Sequence, residues 1–342
     1  MRTTLGGMGT PALLVDRFGR EVKDLRISVT DRCNFRCSYC LPQEGIEWLP
    51  REELLTFEEI VRLARVLVSR FGVDSIRLTG GEPTVRADLH RLVGQLAELR
   101  PLAAEGLDLS MTTNGTALPL IADRLRAAGL DRVNISLDTL RPDRFRTITK
   151  RDQFGRVLEG IEAAKEAGFD PIKVNVVAMR GVNDDEVVDF AAWGRNEGVE
   201  VRFIEFMPLD ASGAWDLSMV VPAEEIVREI DAVFPIEAIE RTSAPATSYR
   251  FRDGQGTIGV IPTVTKPFCG DCDRIRLTAD GKIRTCLFAL DEHDLRGLLR
   301  QGASDEELGL ALQRIVGTKW AGHSIGNVSF KRPHRSMSQI GG

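Results

Sequence analysis

Between Leu25 and Val233 the chain alternates short apolar runs with helix-length amphipathic stretches, and this alternation restricts the fold more than any other feature. The strand-like runs are Leu25–Val29, Ser75–Leu78, Leu107–Met111, Arg132–Leu137, Ile172–Ala178 and Val199–Phe206. They are rich in Val and Ile and carry few breakers, the pattern of strands buried on both faces. Helices are expected at Phe57–Phe71, Ala87–Arg100, Leu118–Ala128, Phe154–Ala167, Asp185–Glu197 and Ala223–Val233. Thr56 with Glu59 reads as a capping box, and Gly129 and Gly168 follow their helices as C-caps. Six βα units imply a parallel sheet with right-handed crossovers. Six are too few for a closed eight-stranded barrel, so the expected fold class is α/β, a partial, TIM-like (βα)6 barrel over residues 21–235.

From Ile236 the character changes. A Thr/Ala/Pro stretch at 242–247 precedes short β-like runs, Thr257–Ile261 and Arg274–Leu277. Ala279-Asp280-Gly281 reads as a hairpin turn into Lys282–Cys286, and two helical pieces follow at Asp294–Arg300 and Asp305–Val316. Residues 236–342 are therefore expected to form a smaller C-terminal α+β region, and residues 1–20 an N-terminal extension.

Six cysteines fall in two triplets, Cys33, Cys37, Cys40 and Cys269, Cys272, Cys286, with none elsewhere. No apolar stretch lies behind a basic start, so no secretory leader is expected, the compartment is read as cytoplasmic, and the thiols as reduced. A closed structural zinc site wants four ligands. Each triplet offers three, with no histidine close in sequence; His90, His293, His323 and His334 are scattered and read as surface or packing residues. Three thiolates on a four-iron cube leave one iron open to a small molecule. The arrangement reads as two clusters, each with one vacant corner.

Working groups of parallel βα folds gather at the C-terminal ends of the strands. Those positions here carry Thr30, Asp31 and the first triplet, then Gly80-Gly81-Glu82-Pro83, Thr112-Thr113-Asn114, Asn134, Ser136 and Asp138, Lys173 and Asn175, and finally Arg202, Glu205 and Met207. Each alone has an ordinary structural explanation, but their recurrence at one end of six strands, facing the cysteines, points to a site. The net charge of −5, from 45 basic and 50 acidic residues, argues against a nucleic-acid polymer as partner but leaves a small anion open. No run of eighteen apolar residues suggests a membrane span.

C-x3-C-x2-C with Tyr39 before the last cysteine, followed by Gly-Gly-Glu-Pro after the second strand, resembles the radical S-adenosylmethionine superfamily. Cys269-x2-Cys272-x13-Cys286, with Asp273-Arg274-Ile275-Arg276 after the second cysteine and a terminal Gly341-Gly342, resembles the GTP 3′,8-cyclase family of molybdenum cofactor biosynthesis, from about Leu25 to Gly342. The resemblance implies a lyase that converts GTP to 3′,8-cyclo-7,8-dihydro-GTP through a 5′-deoxyadenosyl radical. It implies two 4Fe–4S clusters, the first held by Cys33, Cys37 and Cys40 and binding S-adenosylmethionine, the second held by Cys269, Cys272 and Cys286 and facing GTP. Tyr39, Gly81, Ser136 and Met207 match positions around S-adenosylmethionine. Arg26, Arg77, Thr112, Lys173, Arg274, Ile275 and Arg276 match positions for GTP, and Arg202 is a further contact. Arg274, Arg276, Gly341 and Gly342 are the catalytic candidates, the glycines by threading into a crowded pocket. Ser75 stands where parts of the family have lysine. The implied partners are a reductant protein and cyclic pyranopterin monophosphate synthase as the next enzyme, and a homodimer is compatible with the sequence. Two alternatives stay open: another twin-cluster enzyme of the superfamily, such as a peptide-modifying maturase, and a metal- or redox-sensing protein.

Overall fold

The computed structural model describes residues 12–41, 47–209, 213, 215–239, 244–326 and 330–341. Six strands lie side by side in chain order, all parallel: β1 (Asp24–Ser28), β2 (Ser75–Thr79), β3 (Asp108–Thr113), β4 (Arg132–Ser136), β5 (Lys173–Ala178) and β6 (Glu200–Glu205). Between and after them come α1 (Phe57–Phe71), α2 (Leu89–Ala97), α3 (Leu118–Ala127), α4 (Pro142–Thr149), α5 (Phe154–Glu166), α6 (Val187–Glu197) and α7 (Ala223–Val233). All six expected strands and all six expected helices occur. The addition is α4, a short helix that buries only Phe145, Ile148 and Thr149.

Local chemistry explains the boundaries. Thr56 Oγ1 accepts from Glu59 N at 3.2 Å while Glu59 returns a carboxylate to Thr56 N at 2.8 Å, fixing the start of α1. Its apolar residues Ile60, Leu63, Ala64, Leu67 and Phe71 repeat at helical spacing and are buried. Gly72 ends it at φ +67. On the strands, Leu25, Ile27, Ile76, Leu78, Leu109, Val133, Ile135, Val174 and Val201 are fully buried within one apolar core. Each such side chain contributes about 1.5–3 kcal/mol over leaving it in water.

The C-terminal region does not build a sheet of its own. Its strands are β7 (Ile236–Ala238), β8 (Thr247–Phe251), β9 (Thr257–Ile261), β10 (Arg274–Leu277), β11 (Lys282–Arg284) and β12 (His293–Asp294), and all join the same sheet. β9 lies parallel against β6, and β10 parallel against β1. The order is β12-β11-β10-β1-β2-β3-β4-β5-β6-β9-β8-β7. Six parallel strands thus become eight, with antiparallel hairpins at both flanks. The exposed ladders of β1 and β6 are covered in this way, which removes two edges open to mispairing. The helices α8 (Arg296–Arg300), α9 (Asp305–Val316) and α10 (Met337–Ile340) complete the chain, with α9 packed on α1. No helix among the described residues is long and apolar enough to cross a membrane.

Candidate active site

Side chains alternate along a strand, so residues between the core-facing ones share the opposite face. The register pairs Arg276 with Arg26, Arg26 with Arg77, and Arg77 with Ser110 on four successive strands. Further along, Asn134 pairs with Lys173 and Asn175 with Arg202. Parallel in-register strands therefore set several guanidiniums in one row.

A cavity of about 320 Å³ opens on this face, and all six cysteines stand on its wall. So do Arg26, Arg77, Thr112, Arg202, Arg274 and Arg276, and on the side of the first triplet Tyr39, Gly81, Ser136 and Met207. Two expected contacts are not on the wall. Ile275 lies in the apolar core, because its neighbours Arg274 and Arg276 take the cavity face and alternation sends it the other way. Lys173 is buried with its Nζ 4.0 Å from Glu200. Gly341 lies against Thr79 and Ser28, and its carbonyl accepts from the Arg276 guanidinium. Gly342 and part of the 242–247 stretch lie outside the described residues.

Gly-Gly-Glu-Pro is zipped to the first cysteine loop by backbone hydrogen bonds, Gly81 N to Thr30 O and Glu82 N to Arg32 O, both 2.8 Å. A Cβ on Gly81 would stand 2.4 Å from Arg32 O and 2.5 Å from Asp31 O, so only glycine permits the approach. The Glu82 carboxylate is fully buried and accepts from Thr113 Oγ1 at 2.6 Å and Asn114 N at 2.7 Å, which ties the loop to β3. From the other side the end of α4 supports the cysteines, with Arg36 N bonded to Thr149 O at 2.9 Å and Ser38 N to Ile148 O at 3.0 Å. Tyr39 donates its hydroxyl to Asp138 at 2.6 Å. Burial pushes Asp138 up to about 6, against that hydrogen bond and one from Val177 N.

The thiols report what these triplets suit. Burial first, then Glu82, pushes Cys33 up to about 11, and burial with the nearby Cys33 pushes Cys40 up to about 12. Three such groups become thiolates together only against a strong positive partner, which iron supplies. No three His, Cys, Asp or Glu side chains among the described residues converge as a single metal ion requires, so neither triplet is a preformed zinc site. The second triplet sits in a different field. Burial disfavours the Cys272 thiolate, but Arg274 and Lys319 outweigh it and bring its pKa below the ordinary value. Gly322 leaves room beside it, since a Cβ there would meet Cys269 Cβ at 3.0 Å and Sγ at 3.3 Å. Both triplets fit an iron–sulfur group.

Two of the cavity arginines are under-satisfied. Arg26 Nε and Arg274 Nε and Nη2 are buried without a hydrogen-bond partner among the described residues. Burial, and after it the charges of Arg26 and Arg274, push Arg276 well below the usual guanidinium value. Buried cations crowded together with spare donors suit a polyanion.

Among the cavity residues that the sequence reading did not single out are Phe268 and Phe288, and His323, read there as a surface or packing residue, is on the wall as well. Phe268 stacks under Arg274, 4.6 Å from the guanidinium carbon, and Phe288 meets His323 at 5.1 Å between ring centroids. Phe268 and Phe288 flank Cys269 and Cys286 within two residues, a signal that inspection of the motif's neighbours would have caught. His323 has no such local marker.

Residues 27–194 match the model of the radical SAM superfamily, and residues 199–325 that of Molybdenum Cofactor Synthesis C. The chain is 49% identical over 333 residues to the GTP 3′,8-cyclase of Streptomyces coelicolor, covering 96% of each chain. It is 47% identical over 338 residues to the GTP 3′,8-cyclase of Mycobacterium sp. strain KMS, covering 98% of this chain and 95% of the other. Among solved structures, Streptococcus suis SuiB bound to S-adenosylmethionine shares the fold at a TM-score of 0.57 and 14% identity, over 84% of this chain and 67% of that one. With the motifs, the eight parallel strands and near full-length identity in agreement, the chain belongs to the GTP 3′,8-cyclase family of the radical SAM superfamily.

Proposed function

We propose that this protein cyclises GTP between its ribose 3′ carbon and guanine C8, giving 3′,8-cyclo-7,8-dihydro-GTP as the opening step of molybdenum cofactor biosynthesis. The observation that carries the reading is the shared cavity, where two cysteine triplets face one space with five arginines on its wall, Arg26 and Arg274 among them with unpaired donors. Cys33, Cys37 and Cys40 would hold one 4Fe–4S cluster with S-adenosylmethionine, and Cys269, Cys272 and Cys286 a second, next to the nucleotide base. When bound, these groups supply the electron that cleaves S-adenosylmethionine and the radical that takes hydrogen from the ribose.

The chain's own residues bind, orient and exclude. A triphosphate carries about four negative charges near neutral pH, and Arg26, Arg77, Arg202, Arg274 and Arg276 answer it with charge-assisted bonds. Lys173, off the wall but close enough to sense Arg202 and Arg77, adds to the field. Thr112 offers a hydroxyl from β3. Tyr39, fixed by Asp138, stands with Gly81, Ser136 and Met207 where S-adenosylmethionine would lie. Arg276 holds the Gly341 carbonyl, with the buried Ile340 next to it in the chain, which fixes the C-terminal segment beside the arginine row. A reductant protein upstream and cyclic pyranopterin monophosphate synthase downstream complete the reading.

Anaerobic incubation with GTP, S-adenosylmethionine and dithionite tests it. The expected result is 5′-deoxyadenosine whose formation depends on GTP, from protein with about eight irons per chain. Release that ignores GTP but follows an added peptide would favour a peptide-modifying enzyme, and zinc without iron would end the reading.

A further inference from the structure

Lys319 is a buried charge for which the reaction above has no use. It lies three residues past the end of α9 and is 2% exposed. Its Nζ donates to the Arg274 carbonyl at 2.5 Å and lies 3.6 Å from Cys272 Sγ. No carboxylate forms an ion pair with it among the described residues; Asp273 senses it only from further off. Burying an ammonium without a counter-charge is costly, so the fold keeps this one for something anionic that it meets.

The segment bearing Lys319 is held in place from the N-terminal side. Arg20 donates to Cys269 O at 2.6 Å and Ala321 O at 2.9 Å, reaches Trp320 O as well, and is itself fixed by Asp16 at 2.6 Å. One guanidinium therefore ties the second cysteine loop to the residues that follow Lys319. Among the described residues the first triplet has no counterpart: the buried charges beside it are the carboxylates Glu82 and Asp138, with Arg36 and Arg151 acting on Cys33 alone.

We propose that Lys319 is a positioning residue for the second iron–sulfur cluster, donating an N–H···S bond to the Cys272 thiolate and placing there a positive charge that favours the reduced cluster. The proposal rests on the two-cluster reading above. The couple involves one electron, taken from an external reductant, with no bond broken and no proton moved. The added charge makes the second cluster the easier of the two to reduce, and leaves the first, flanked by carboxylates, the stronger donor.

The test is a mediated dithionite titration of the reconstituted holoenzyme, followed by electron paramagnetic resonance, on the parent, Lys319→Met, Lys319→Gln and Lys319→Arg. A Cys33→Ala, Cys37→Ala, Cys40→Ala variant assigns the second cluster's signal. With iron retained, Lys319→Met should lower the reduced-to-oxidised ratio of that cluster about tenfold at fixed potential, a midpoint about 59 mV lower. The first cluster should not move, and Lys319→Arg should restore the parent value. An unshifted midpoint in Lys319→Met overturns the proposal. If Met and Gln both lose the second cluster while Arg keeps it, the charge is required even to hold the cluster, which supports it. If Arg loses it too, the role is packing and the proposal falls. A parent with about four irons would instead overturn the two-cluster reading.

Discussion

Gly81→Ala is the sharpest probe of how the first cysteine loop is held. The new methyl would sit 2.4 Å from Arg32 O, 2.5 Å from Asp31 O and 2.6 Å from Arg32 C, about 1 Å inside contact distance on three backbone atoms. The Gly-Gly-Glu-Pro side cannot yield, because buried Glu82 anchors it to Thr113 and Asn114. The cysteine loop must retreat, which breaks Gly81 N to Thr30 O and Glu82 N to Arg32 O. Two backbone hydrogen bonds at about 1 kcal/mol each, with about 1–3 kcal/mol of overpacking, give about 3–5 kcal/mol. For a chain of 342 residues that is a fall of about 4–7 °C in the melting temperature of the iron-free protein. After reconstitution, iron should drop from the first site and stay at the second. Parent-like melting and iron with weakened S-adenosylmethionine binding would refute the reasoning, since Gly81 would then serve cofactor approach alone.

Gly341→Ala should slow turnover about 5- to 150-fold with both iron sites filled. The residue holds φ +82 and a Cβ would stand 2.5 Å from Thr79 Oγ1, a strain of about 1–3 kcal/mol against tail docking; parent-like turnover would count against the tail. GTP affinity should depend on pH through Lys173, which burial and then the neighbouring Arg202 hold at about 8. The triphosphate favours the ammonium form, so affinity is level below about pH 8 and weakens up to about tenfold per unit above it, by calorimetry; Lys173→Met should flatten the curve. Arg26→Met should leave the nucleotide-free protein no less stable, by relieving repulsion from Arg274 and Arg276, while reducing the rise in melting temperature that GTP produces. A destabilised free protein with a full GTP response would contradict it.

The parts of this molecule legible in the sequence are those written locally. Strands β1 to β6 are short runs whose core-facing positions are apolar, and α1 carries its own start signal in Thr56 and Glu59. The first cysteine triplet is a spacing within eight residues and the second starts from a close Cys269-x2-Cys272 pair, so their chemistry could be read without a fold. By contrast α4 buries only Phe145, Ile148 and Thr149 among Arg141, Asp143, Arg144 and Arg146, too brief a stripe to show a period. β7 and β8 are flanking strands with half-exposed sides and little apolar contrast. The parallel pairing of β10 with β1 joins residues some 250 positions apart (Arg274 with Asp24), and no local pattern announces it. Lys319 was invisible for the same reason: its significance is a 3.6 Å approach to Cys272 across the fold.

That long-range pairing is also what makes one site out of two motifs. Arg276 is brought beside Arg26 only because β10 adds to the sheet at β1, and Arg26 stands beside Arg77 by the next register. Neighbouring strands are about 4.8 Å apart, and like charges at that spacing repel by about 3 kcal/mol per pair in a partly polar interior. A stability-optimised sheet would place carboxylates between them; here Asp24 lies 3.8 Å from Arg26, and Arg276 has no ion-pair partner among the described residues. On the proposed function the repulsion serves binding: the same sheet carries the loops of both cysteine triplets, so a triphosphate that neutralised the row would be fixed at once relative to both. An enzyme that placed the second triplet on a hinged domain could bind GTP as tightly, but it could not hold the ribose in one position relative to the first cluster.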